Sequence, residues 1–101
     1  MPIYAVSFEI KNDASYNDRY QSLMKQIRAC EMHWEETTSF VLVKTGESLS
    51  DFETRLYVLS QFSHIRDKML VLQVSGDDGV FRGVNNMPST LALLMPNVVQ
   101  K

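Results

Sequence analysis

Two stretches with the period of an amphipathic helix sit between four runs that read as strands, in the order strand, helix, strand, strand, helix, strand. Few architectures accept that order, because each helix must carry the chain back over the sheet it has just left. The first strand, Ile3 to Ile10, alternates: Tyr4, Val6, Phe8 and Ile10 share one face, and Ile3, Ala5, Ser7 and Glu9 share the other. Lys11-Asn12-Asp13 turns the chain, and Asp13 or Ser15 can cap the helix that follows. In that helix Tyr16, Tyr20, Leu23, Met24, Ile27 and Cys30 form one apolar stripe at helical spacing.

Glu31 to Thr37 reads as a polar, edge-type strand with Met32 and Trp34 on its apolar side. Thr38 to Thr45 holds Phe40-Val41-Leu42-Val43, a run suited to a central strand. Ser48 is an N-cap candidate with Asp51 three residues on, and Leu49, Phe52, Leu56 and Leu59 make the second helical stripe. Met69 to Val74 is the last strand, and Ser75 to Gly79 is a turn signal. The series predicts an α+β fold: a ferredoxin-like β-α-β-β-α-β sandwich, with an antiparallel four-stranded sheet, two helices on one face and an extra C-terminal segment. Residues 1–84 are expected to form that domain, and 85–101 a C-terminal extension packed on the sheet or on a partner protomer. Val80 to Val84 can add a short strand, and Ser89 to Met95 about two helical turns stopped by Pro96.

Apolar residues fall on both faces of the expected sheet: Tyr4, Val6 and Phe8 against Ile3 and Ala5, Leu70 and Leu72 against Met69 and Val71. A second layer should therefore cover the back, since apolar area left in water forgoes about 25 cal/mol per Å². Leu91, Leu94 and Val98 of the C-terminal segment, a second protomer, or both can supply it, with Ile3, Ala5, Met69 or Val71 beneath. With 101 residues the chain is long enough for one domain with one core and no staples. The net charge of −2 provides no general attraction for nucleic acid, so such a contact needs a local patch. The lone Cys30 has no internal disulfide partner, which suits a reducing cytoplasm. No apolar run approaches the ~20 residues of a membrane span, and Met1-Pro2-Ile3 leads straight into a strand without a signal-peptide pattern.

Glu9 is the leading site candidate. Antiparallel neighbours bring the end of the first strand near the starts of the last two, and so Glu9 near Thr38, Ser39, Asp67 and Lys68. A carboxylate, hydroxyls and a lysine suit a phosphate bridged by Mg²⁺ or another divalent cation, with Ser39, Lys68 and Lys11 as substrate contacts. The ordinary alternative is a solvated strand end paired with Lys68, worth little energetically. Arg19, Lys25 and Arg28 read as a solvated helix face, His33 as a surface residue and Cys30 as core. His33 and His64 show no metal-ligand spacing, and Asp77-Asp78 reads as part of a turn.

The opening Ile3-Tyr4-Ala5-Val6-Ser7-Phe8-Glu9-Ile10-Lys11 resembles the first strand of the small CRISPR-associated adaptation nucleases. It is also similar to their short stand-alone SinR-like relatives and, more distantly, to VapD-type ribonuclease toxins. Met32 to Thr45 looks like the SinR-like second and third strands, Ser48 with Arg55-Leu56 like the next helix, and Leu70 to Gly76 like the last strand. The resemblance implies a homodimer, nucleic acid as partner, and metal-dependent phosphodiester cleavage. The family strand usually ends aromatic-Asp-aliphatic, and its metal-binding Asp position falls on Glu9 here. The alternative reading is a non-catalytic dimeric interaction or scaffold protein.

Overall fold

The computed structural model of the protein describes residues 1–74 and 78–101. Strand β1 (Ile3–Glu9) is followed by helix α1 (Tyr16–Arg28), strands β2 (Met32–Thr37) and β3 (Phe40–Lys44), helix α2 (Leu49–Val58) and strand β4 (Lys68–Val74). A C-terminal unit comprises β5 (Gly79–Phe81), helix α3 (Pro88–Leu94) and β6 (Val98–Gln100). The fold is α+β: a four-stranded antiparallel sheet in the order β2-β3-β1-β4, three helices, and a separate parallel pair of β5 with β6. The turn read over Ser75 to Gly79 lies mostly outside the described residues. Among the described residues no helix is long and apolar enough to cross a membrane.

The alternation of β1 divides the interior in two. Tyr4, Val6, Phe8 and Ile10 turn to the helix side, where they meet Leu23, Met24 and Ile27 of α1, Val41 and Val43 of β3, and Phe52 and Leu56 of α2. Tyr4 and Phe52 stack with ring centroids 5.1 Å apart. The opposite face forms a second, smaller core in which Ala5, Trp34 and Leu42 lie beneath Leu91, Leu94 and Met95. Trp34 is only 4% exposed; Phe81 meets it edge-on and Asn85 accepts its indole N–H at 3.2 Å. Val98 packs at the margin of this core.

The C-terminal layer covers the back unevenly. Helix α3 packs against β2 and β3, and β1 and β4 are left open beyond Ala5. Phe40 at the start of β3, Ser7 of β1 and Leu70 of β4 are cross-strand neighbours along one row beyond the layer, and all three are exposed. Leu72, the partner of Ala5 in the register, is 51% exposed and Leu70 58%.

Register corrects two sequence expectations. Met69 pairs with Phe8 and Val71 with Val6, so both residues pack on the helix side and not on the back with Ile3 and Ala5. A strand's alternation does not say which of its faces matches which face of a neighbour; the register decides it. In α2, Phe52 and Leu56 are fully buried, whereas Leu49 and Leu59 are exposed. Leu59 is the C-cap residue, beyond the last full turn over the sheet. Ser48 caps α2, its hydroxyl accepting from the Asp51 amide at 3.1 Å.

Candidate functional site

Glu9 ends β1 on the back face, and its register partner on β4 is Lys68. With Ser7, Phe8, Ser39, Met69 and Leu70 they line an open depression of about 430 Å³. The Phe8 amide donates to the Ser39 carbonyl at 3.0 Å, which fixes the β2–β3 turn beside the end of β1. Three of the residues expected at the site, Glu9, Ser39 and Lys68, therefore meet. Thr38 is exposed on the turn and does not line the depression. Lys11 lines a different one, with Asp13, Ala14, Ser15, Asp18 and Arg66. The antiparallel register explains the split: the chain leaves the sheet after Glu9, and the next two residues turn toward α1.

Among the described residues Glu9 is the one carboxylate lining the depression; Ser7 and Ser39 add hydroxyls, and Lys68 adds an ammonium. A divalent cation such as Mg²⁺ takes about six oxygen ligands, commonly including one or two carboxylates and substrate phosphates. A lone carboxylate facing a lysine does not fit a resident cation from one chain's donors. Among the described residues no group of three or more His, Cys, Asp or Glu is close enough to hold one.

The expectation for Arg19 is corrected. It is a buried residue with its side chain 4% exposed, and it is clamped between two carboxylates. Its Nε donates to Asp67 Oδ2 at 3.0 Å and its Nη2 to Asp67 Oδ1 at 3.3 Å. Nη2 also donates to the Lys11 carbonyl at 2.9 Å, and Nη1 to Asp13 Oδ1 at 2.9 Å and to the Ser15 hydroxyl. The five N–H groups of a guanidinium are thus all engaged. Asp67, whose side chain is fully buried, accepts in addition from the amides of Lys11 and Ser63, both at 2.9 Å. Burial pushes the Asp67 carboxyl up, but the Ser63 and Lys11 amides and Arg19 together bring it below the usual range. The bond from Arg19 holds the Asp13 carboxyl down at about 2. Asp67 therefore faces inward as a structural anion and takes no part in the Glu9 depression. The sequence does hold one sign of Arg19's burial: it lies four residues before Leu23 and eight before Ile27, on the edge of the apolar stripe.

A second clamp closes the opposite end of the sheet. Arg55 of α2 donates to both Glu47 oxygens at 2.8 Å, to the Gln26 carbonyl at 2.7 Å and to Cys30 Sγ at 3.4 Å. Arg55 holds the Glu47 carboxyl below its usual range, whereas burial keeps the half-buried Cys30 thiol above its own despite the neighbouring guanidinium. Cys30 is accordingly a protonated packing residue. His33 Nδ1 lies 3.1 Å from Glu35, which also binds Arg28, and His64 Nδ1 meets the Tyr57 hydroxyl at 3.1 Å. Neither histidine comes together with Glu9 in its depression. The Asp77-Asp78 pair falls partly outside the described residues. Compared with known proteins, the chain matches no family model, no curated protein and no solved structure.

Proposed function

We propose that the protein is a small interaction module of ferredoxin-like architecture that works as a dimer, with the open half of its sheet as the working surface. One observation carries the reading. The C-terminal layer covers Trp34 and Leu42 on the back face and leaves Leu70 and Leu72 of the outer strand β4 exposed, with Phe40 at the start of β3 exposed in the same row as Leu70. The strand order β2-β3-β1-β4 with a helix after the first and third strands supports the architecture. Both arginine clamps, the buried Arg19 and the partly buried Arg55, are saturated by partners within the chain, so neither is a reserve of free charge for a substrate. A reducing cytoplasmic setting suits the unpaired Cys30. The test is sedimentation of the chain from about 1 to 200 µM. Mass rising toward two copies is the expected result; a monomer throughout rejects the dimer.

The second reading is nucleic-acid contact by a relative of the CRISPR-associated and SinR-like group. What favours it is the meeting of Glu9, Ser7, Ser39 and Lys68 in one depression. There Lys68 and the hydroxyls would take a phosphate, and any divalent cation would draw its remaining ligands from phosphate oxygens or a second copy. The check is incubation of labelled RNA and DNA with Mg²⁺ or Mn²⁺, using the parent and Glu9→Gln. Glu9 is exposed, so the variant should melt within a degree or two of the parent. Cleavage lost in the variant supports this reading; no cleavage by the parent, or equal cleavage by both, rejects it.

A further inference from the structure

The two outer strands of the sheet differ in a way that selects one of them for pairing. β2 is guarded: it carries His33, Glu35 and Glu36, and its register with β3 breaks between Trp34 and Thr37. Charges and bulges of this kind keep an outer strand from adding another chain. β4 has neither. Its seven residues pair with β1 without a break from Lys68 to Val74, and between its ends it reads Met69-Leu70-Val71-Leu72-Gln73, with no charge, Pro or Gly. Among the described residues no strand lies on its outer side. A trough follows this edge, walled by Leu49, Ser50 and Glu53 of α2 and by Met69, Leu70 and Val71. The trough is continued toward Lys68 by Tyr57 and His64.

We propose that the occupant of this edge is β4 of a second copy, paired antiparallel about a two-fold axis through Val71, so that two four-stranded sheets become one of eight. The proposal rests on the dimer reading above and names its interface. Its argument is self-complementarity. A two-fold centred on Val71 is the register that uses the whole strand. It sets Leu70 opposite Leu72 of the second copy, Met69 opposite Gln73 and Lys68 opposite Val74. No like charges face each other within the ladder, and the two exposed leucines gain cross-strand partners on the open back face. Such a partner is present in every solution of the protein at the protein's own concentration. Area sets the strength. A seven-residue strand is about 24 Å long, and with the sheet and helix layers together about 20 Å deep the edge offers on the order of 500 Å². That is below the ~800 Å² each partner gives to a stable complex. The dimer should therefore be concentration-dependent, with a Kd in the micromolar range, roughly 1–100 µM.

Three measurements on the full chain test this. Hydrogen exchange at 1 and 200 µM should show slowed exchange at the higher concentration confined to residues 68–74. The double substitution Leu70→Lys with Leu72→Lys should weaken self-association by at least tenfold. Both positions are exposed, so the far-UV spectrum and cooperative melting should persist. In a Cys30→Ala background, a mixture of Leu70→Cys and Leu72→Cys proteins should oxidise to covalent dimers faster than either protein alone. Dimerisation that survives the lysine pair, with exchange of β4 unchanged by concentration, overturns the β4 interface but leaves the dimer itself standing. A monomer at every concentration overturns both. A monomer whose β4 amides slow only on adding an extended apolar peptide would assign the edge to a foreign strand and reject the second copy as its occupant.

Discussion

Asp67 accepts four hydrogen bonds from three segments of the chain: the turn after β1, helix α1 and the turn before β4. Taking the carboxylate away leaves a buried guanidinium without its main counter-charge, one of the more damaging changes a small domain can suffer. Asp67→Ala is expected to lower Tm by more than about 10 °C or to prevent folding, read by calorimetry. Acid should act on the same clamp. The carboxyls of Asp13 and Asp67 sit below their ordinary values in the folded protein, Asp13 at about 2. The unfolded chain then binds more protons, and stability rises with pH through this window. The contribution is complete above roughly pH 4, the unfolded carboxylate value, and drains away as pH falls toward 2. Thermal melts of the parent and of Asp13→Asn between pH 5 and pH 2 should therefore converge at the acid end. A gap between them that stays constant would show that this carboxylate is not the titrating group. None of this was legible in the sequence beyond Arg19's place beside the apolar stripe. Ion pairs that span 48 positions leave no local pattern.

At the scale of elements, periodicity did most of the work and register limited it. The stripe of α1 is buried as its spacing indicates, with Leu23, Met24 and Ile27 shielded and Tyr16, Tyr20 and Cys30 at the margin. In α2 the same rule overreached at both ends. A ten-residue helix presents about three turns, and only the middle of its stripe, Phe52 and Leu56, lies over the sheet. The difference is measurable: Phe52→Ala should cost about 3–5 kcal/mol, whereas Leu59→Ala, at a site 60% exposed, should stay within about 0.5 kcal/mol. Urea unfolding of the two variants checks both values, and comparable losses would mean that α2 is rotated from the position described here. Met69 and Val71 illustrate the other limit. The alternation of β4 was plain, but which of its faces joined Phe8 depended on a pairing 61 positions apart, from Phe8 to Met69. Strand β5, Gly79–Phe81, overlaps the short strand read at Val80 to Val84, whereas three-residue β6 and its parallel pairing with β5 are too short and too distant for alternation to announce.

For the molecule as a whole, the apolar content of the last residues was legible as a need for burial, with the back of the sheet over Ile3 and Ala5 as one expected place, but which half of that face it covers was not. Leu91 and Leu94 go to the half of the sheet that carries Trp34 and Leu42, and the C-terminal layer reaches back to Gly79 through the pairing of β5 with β6. Deleting residues 88–101 should uncover the single tryptophan, shift its emission to the red, and lower Tm by on the order of 10 °C. Unchanged emission and unchanged melting would show the layer to be dispensable. The placement of the two cores along the chain also sets a timetable for synthesis. All four strands of the main sheet and both helices of the first core are complete by Val74, whereas every large cover for Trp34 is encoded later, from Phe81 onward. The first core can assemble from residues 1–74, whereas the second cannot close until residues 81–95 are available. Until they are, Trp34 and Leu42 are bare, so a chain with only its first core formed offers an apolar sheet face that the finished fold hides.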